Sequence, residues 1–148
     1  MKKMLCTLAA FTLVSTANAA DLTVVYNRDE THKVNGAGIS LGKTFGGLNY
    51  SVSIDRFAKK NNDIDMFSVN ASYEIIKVLG MGVSPGVGLG YLRQEQGKNG
   101  VVMNAGVGLS YPITKKFSVA TDFYMTYGQE SIKNTNATVA SVGIKTTF

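Results

Sequence analysis

From residue 21 to residue 148, large apolar side chains fall on every second position, and small or polar residues fill the positions between. A period of two is the spacing of a β-strand, whose successive side chains point to opposite faces. At the end of the chain Ala140, Val142, Ile144, Thr146 and Phe148 alternate with Ser141, Gly143, Lys145 and Thr147. Seven earlier stretches repeat the pattern, at 22–26, 37–41, 48–54, 67–75, 81–91, 101–111 and 117–127; Val25 alone interrupts the polar set of the first. The sequence therefore predicts eight strands. Connections fall at 28–33, 43–47, 58–63, 77–80, 94–100, 112–116 and 129–136. An even number of strands returns the chain to the side where it began.

Glycine obeys the same alternation. Gly36, Gly38, Gly42, Gly82, Gly86, Gly88, Gly90, Gly106, Gly108, Gly128 and Gly143 all occupy the polar parity, and the other five of the 16 glycines lie in connections. One face is thus large and apolar, while the other is small, polar and almost uncharged. A soluble β-sandwich buries its large apolar face and covers the other with Lys, Glu and Thr. Here the second face carries too little charge to meet bulk water. An eight-stranded barrel has an interior just wide enough for side chains, and closure satisfies every strand edge, as a bilayer demands. Strands of this length also fit a tilted membrane-spanning β-strand. The expected fold is all-β: an eight-stranded antiparallel up-and-down transmembrane β-barrel. Leu41, Ile54, Val69, Leu89, Val107, Val119 and Val142 should face lipid, and Gly88, Gly106, Asn70 and Asp122 the lumen.

Residues 1–19 read differently. Lys2 and Lys3 precede a short apolar run from Leu5 to Val14, and Ala17-Asn18-Ala19 forms an A-x-A cleavage site. This is the pattern of a secretory signal peptide cleaved between Ala19 and Ala20, so that residues 20–148 form the barrel domain. The apolar run is too short to span a bilayer. Cleavage would remove Cys6, the single Cys, and both leading lysines, leaving 13 basic against 10 acidic residues. A net charge of +3 without a basic cluster gives no nucleic-acid surface. A single His and no Cys in residues 20–148 exclude multi-His and Cys-based metal sites, and no cofactor is expected.

The stretch Val83-Ser84-Pro85-Gly86-Val87-Gly88-Leu89-Gly90-Tyr91 resembles the strand after the central periplasmic turn in the small outer-membrane β-barrels, the opacity-protein-like and OmpA- and OmpX-type family. Residues 105–124 resemble that family's sixth strand, tight turn and seventh strand. The resemblance spans residues 20–148. It implies outer-membrane location in a Gram-negative bacterium and lipid and lipopolysaccharide as surroundings. It also implies insertion by the barrel-assembly machinery through a terminal aromatic signal, here Phe148. The family holds adhesins, narrow pores and stress-induced proteins. The outer connections, about six to eight residues by this reading, are short for an adhesin.

Several residues are candidates for a role. Asp55, Glu74, Asp122 and Lys145 take the lumen parity, as does Tyr124, and interior charges are costly unless paired or hydrated. Asp122 is expected diagonal to Lys145, giving an ion network centred on that lysine. The excess of acid is balanced by water, by a proton, or by Arg93 reaching in. Tyr26, Tyr50, Tyr73, Tyr91, Tyr111, Phe117, Tyr127 and Phe148 should form the interfacial aromatic girdles. Arg56, Lys59, Lys60, Arg93, Lys98 and Lys133 lie at the outer ends, interleaved with acids; solubility explains them, and lipid phosphates are the alternative. His32, beside Asp29, Glu30 and Thr31, reads as a solvated loop residue rather than a catalyst. Asn70 and Asn136 head chance glycosylation sequons.

The leading functional reading is a monomeric, non-catalytic barrel with a structural or envelope-interaction role. A narrow porin-like channel for water, ions or very small solutes is the alternative. A lipid A-modifying enzyme ranks last. The glycine-rich second, fifth and sixth strands leave space into which bulky groups of the third, fourth and seventh can lean. Isolated hydrated pockets are therefore expected rather than an open channel, with any leak preferring cations.

Overall fold

A computed structural model of the chain describes residues 20–58, 63–95, 99–128 and 136–148. The leader and Lys59, Lys60, Lys98 and Lys133 lie outside the described residues. The strands are β1 (Asp21–Asp29), β2 (Val34–Phe45), β3 (Leu48–Ala58), β4 (Ile64–Tyr73), β5 (Ile76–Val78), β6 (Met81–Gln94), β7 (Gly100–Pro112), β8 (Phe117–Gly128) and β9 (Ala137–Thr147). Every pairing is antiparallel. β1 pairs with β9 and β4 with β6, so the sheet closes into a barrel.

β4 and β5 are one barrel strand with an interruption, so nine segments make the eight expected strands. Ser72 faces Gly86 and Ile76 faces Val83, so three residues on one side oppose two on the other. That is a one-residue bulge, and it lies opposite Pro85. Proline has no N–H for a ladder and is confined within sheets to edges, strand starts and bulges. The bulge corrects two expectations. The expected strand 67–75 is interrupted after Tyr73; Glu74 and Ile75 keep the alternation, which breaks at the next residue and leaves Ile75 and Ile76 both exposed. Pairing then resumes to Val78, and the connection shrinks from 77–80 to Leu79-Gly80.

The end that carries Asp21 and Thr147 also carries the tight turns. Gly46-Gly47 (φ 58° and 84°) and Leu79-Gly80 (φ 51° and 83°) are two-residue turns with positive φ at both positions, the geometry that matches the twist of a hairpin. The third turn, 113–116, is closed by the Thr114 hydroxyl, which accepts from the amides of Lys116 and Phe117 at 3.2 and 3.1 Å. Short turns mark the periplasmic end of an outer-membrane-type barrel, here called inner. The outer connections, 30–33, 59–63, 95–99 and 129–136, are four, five, five and eight residues long, and three are shorter than expected.

The barrel is turned inside out relative to a soluble protein. Val69, Val87, Leu89 and Ile144 are each more than half exposed, whereas Asn27, Asp55, Ser68, Asn104, Thr126 and Ser141 are buried. Such an apolar belt is stable only against lipid. The predicted parity holds at every position named for it.

Candidate functional site

The lumen is built in three levels. At the outer end the inward side chains are apolar: Phe57, Met66, Leu92, Val102 and Val139 form a buried cluster. Ile64, Tyr124 and Ala137 pack against it, and Val34 is buried at the same end. The sequence reading assigned apolar residues to lipid and missed this plug. The signal was present, because Phe57 continues the inward parity of Asp55.

Below the plug lies a polar layer. Asn27 Nδ2 donates to Asp55 Oδ1 at 2.6 Å, and Ser53 Oγ donates to Asp55 Oδ2 at 3.2 Å. On the other side Thr126 donates to Asn104 Oδ1 at 3.1 Å, and Asn104 donates to Ser68 Oγ at 3.2 Å. Asn27–Asp55 and Asn104–Ser68 each reach over an intervening strand. They can do so because β2 and β6 present glycine there. A Cβ on Gly38 would collide with the Asp55 carboxylate, and one on Gly90 would lie 2.9 Å from Ser68 Oγ. The bulky groups do lean into the glycine space. Asn70 covers Gly88, Asp122 covers Gly108, Glu74 covers Gly82 and Tyr124 covers Gly106.

From this layer to the inner end runs a cavity of about 250 Å³. Its lining includes Asp21, Ser40, Asn49, Asp55, Asp122 and Lys145. At about 30 Å³ per molecule of liquid water, such a volume holds several waters.

The interior charges do not form one network. Lys145 Nζ binds Asp21 Oδ2 at 2.7 Å, and Thr147 donates to Asp21 Oδ1 at 2.6 Å. Asp122 is not diagonal to Lys145. The β8–β9 register sets Asp122 against Ser141 and Lys145 against Ser118, four residues along. Asp122 instead accepts from Ser141 Oγ at 3.3 Å. Glu74 pairs with Lys77 at 3.5 Å near the inner turns. Arg93 is exposed on the outward parity and does not enter the lumen. Asp21 is the residue missed; its place two before Thr23 already fixed it as inward.

At the outer rim Asp29, buried, accepts from the amides of Thr31 and His32 at 2.9 and 3.0 Å, and His32 Nδ1 lies 2.6 Å from its second oxygen. His32 is therefore a half-buried cap on the β1–β2 turn, not a freely solvated residue. Beside it Lys33 binds Glu30 at 2.9 Å and holds that carboxyl below the ordinary Glu range. Arg56 grips Asp65 with two hydrogen bonds of 2.7 and 3.1 Å on the outer face. All eight candidate girdle aromatics are exposed and face outward. Tyr26, Tyr91 and Tyr127 lie toward the outer end, and Tyr50, Tyr73, Tyr111, Phe117 and Phe148 toward the inner.

A closed barrel of eight antiparallel strands, apolar outside and polar within, is a transmembrane β-barrel of the outer-membrane type. No protein-family model matches the chain, and no curated protein matches it. Solved structures do. The N-terminal barrel domain of Pseudomonas aeruginosa OprF is similar with a TM-score of 0.73 and 18% identity, over 88% of this chain and 98% of that one. Neisserial surface protein A follows at 0.65 and 18%, over 88% and 95%. The outer membrane enzyme PagL is similar at 0.54 and 12%, over 86% and 98%. These likenesses establish the fold, and a fold shared with an enzyme does not fix a function.

Proposed function

We propose that this chain is an integral outer-membrane barrel of a Gram-negative envelope, exported by a cleavable leader at residues 1–19. In this reading it is a closed structural or envelope-interaction element, neither a through-pore nor a catalyst. The observation that carries the reading is the outer plug. Phe57, Met66, Leu92, Val102 and Val139 are each less than 7% exposed, so apolar side chains fill the lumen where a channel needs water. The His32 ring is engaged by Asp29, whose carboxylate also caps two backbone amides, a structural use of the pair. Lipid and lipopolysaccharide surround the belt, Phe148 serves the barrel-assembly machinery, and the unit works as a monomer.

The inner cavity favours the narrow-channel alternative as far as the polar layer, but conduction would need the plug to move. Planar-bilayer recording on the purified protein decides between them. The closed reading expects no stable conductance from the native chain and stable events from the double variant Phe57→Ala/Leu92→Ala. Large, long-lived openings of the native protein would install the channel reading instead.

A further inference from the structure

We infer that the inner rim of the barrel is a docking surface for anionic phospholipid, with the ammonium groups of Lys43, Lys115 and Lys116 on lipid phosphates and the side chains of Phe45, Leu79 and Ile113 set among the headgroups. The inference rests on the outer-membrane reading, which places the inner turns against the phospholipid leaflet.

The inner turns fall between β2 and β3, between β5 and β6, and between β7 and β8, with the meeting of β1 and β9 as the fourth corner, so they encircle the rim. Each turn carries a large exposed apolar side chain: Phe45, Leu79 and Ile113. Leu79, Phe45 and Phe148, at 88%, 75% and 71%, are the most exposed large apolar residues among those described, and all three are at this end. Leu79 is the sharpest case. Its φ of 51° is a left-handed backbone, for which a hairpin facing water ordinarily uses Asn, Asp or Gly. A leucine held there against its preference displays an apolar group where a water-facing turn displays a polar one.

The girdle fixes the level of these tips. A Cβ on Gly47 would lie 3.0 Å from the Tyr73 ring and one on Gly80 3.6 Å from the Tyr111 ring, so the turns begin where the girdle aromatics end. Girdle aromatics sit at headgroup level in a bilayer. The tips therefore reach headgroups rather than open water.

Charge selects the headgroup. Lys43 shares the outward parity of Phe45 and lies beside Tyr50 across the β2–β3 ladder. Lys115 and Lys116 follow Ile113 in its turn, both exposed. None of the three has an ion-pair partner among the described residues. The acids at this end, Asp21 and Glu74, are engaged by Lys145 and Lys77. At the outer rim, by contrast, Arg28 and Lys33 bind Glu30, and Arg56 binds Asp65. A lysine is a point charge that snorkels along apolar surface to a phosphate. A zwitterionic headgroup brings its own cation and a net-negative one does not, so the uncompensated ammoniums favour lipid of the phosphatidylglycerol kind. Because the tips ring the rim, the surface fits a leaflet that surrounds the barrel rather than one protein docked on one side.

The test uses the absence of Trp from the chain. Phe45→Trp and Ile113→Trp each place one indole at the rim, and Leu89→Trp places one in the belt. The purified proteins are folded into mixed vesicles of phosphatidylcholine and phosphatidylglycerol, with a bromine quencher on the acyl chains of one lipid or the other. Both leaflets have the same composition, so the direction of insertion does not matter. At each rim reporter brominated phosphatidylglycerol should quench with an apparent affinity about fivefold above brominated phosphatidylcholine. Lys43→Gln should remove the preference at position 45, and Lys115→Gln/Lys116→Gln at position 113, while circular dichroism and quenching of the belt reporter stay unchanged. Equal quenching of the rim by the two lipids overturns the site, and so does a preference that survives the lysine substitutions. Unquenched rim reporters beside a quenched belt reporter also overturn it, and leave the tips to a water-borne partner. An unquenched belt reporter would remove the outer-membrane reading itself, and this inference with it.

Discussion

Adding one methyl group at Gly106 should destabilise the barrel, whereas adding one at Gly108, two residues along the same strand and face, should not. At Gly106 a Cβ would stand 2.6 Å from both Cα and Cβ of Tyr124 and closer still to the carbonyl oxygen of Phe123. Those atoms belong to the ladder or are fixed to it, so β7 and β8 must separate. Overpacking of this kind costs about 1–3 kcal/mol. Alanine restricts the unfolded chain more than glycine and returns about 0.4–1 kcal/mol. The expected net loss is about 1–2 kcal/mol. At Gly108 the obstacle is Asp122 Oδ1 at 2.6 Å, and the next atom is 3.6 Å away. A carboxylate can turn aside for about 0.5–1.5 kcal/mol, so Gly108→Ala should fall within about 0.5 kcal/mol of wild type. Urea unfolding in phospholipid vesicles measures both, followed by circular dichroism because the chain has no Trp. A stable Gly106→Ala beside an unfolded Gly108→Ala would refute the idea that backbone proximity decides the cost.

Three further outcomes follow from the same geometry. Val107→Arg on the outward face should cost about 2–4 kcal/mol if the position lies near the bilayer midplane, and equal stability in the vesicle assay would displace Val107 from that depth. Lys145→Met should cost about 1.5–3 kcal/mol by stripping Asp21 of its partner, and Asp21→Asn should recover most of the loss; a double-mutant cycle without coupling would dissolve the pair. Glu30 has a lowered pKa because Lys33 and Arg28 hold its charged form. Its contribution to the β1–β2 turn is therefore complete above the ordinary Glu range and disappears as pH falls through the lowered midpoint. A carboxyl NMR titration of Glu30 with a midpoint at or above 4.5 would contradict this.

The barrel was legible because a period of two and the placement of glycine are local properties that closure leaves intact. The break in the fourth strand was not legible from Phe67–Ile75, whose alternation runs on unbroken. Its cause sits in the facing strand at Pro85, and only register brings the two together. The pairing of Lys145 failed for the same reason: parity says which face a residue takes, while its neighbour along the barrel depends on how far each strand is shifted. The plug was missed through a premise. Apolar residues were assigned to lipid and polar residues to the lumen, yet Phe57, Met66 and Leu92 sit on the inward parity near strand ends. The acids Asp55 and Asp122 were placed inward correctly, but their partners are neutral side chains, and charge counting does not see those.

The pairing of lumen glycines such as Gly36, Gly38 and Gly106 with bulky neighbours has a consequence for assembly. Shifting one strand past another by a single residue turns its whole apolar face inward and is heavily penalised. A shift by two residues preserves every inside and outside assignment, so the alternating pattern cannot reject it. The lumen can. In the native register Gly36 meets Phe57 and Gly38 meets Asp55. Sliding β3 by two toward the outer loop would bring Phe57 against Val34 and leave Gly38 facing Ser53, one site overfilled and the other hollow. Size complementarity inside the barrel therefore acts as a vernier, selecting among the slipped pairings that the membrane itself accepts equally.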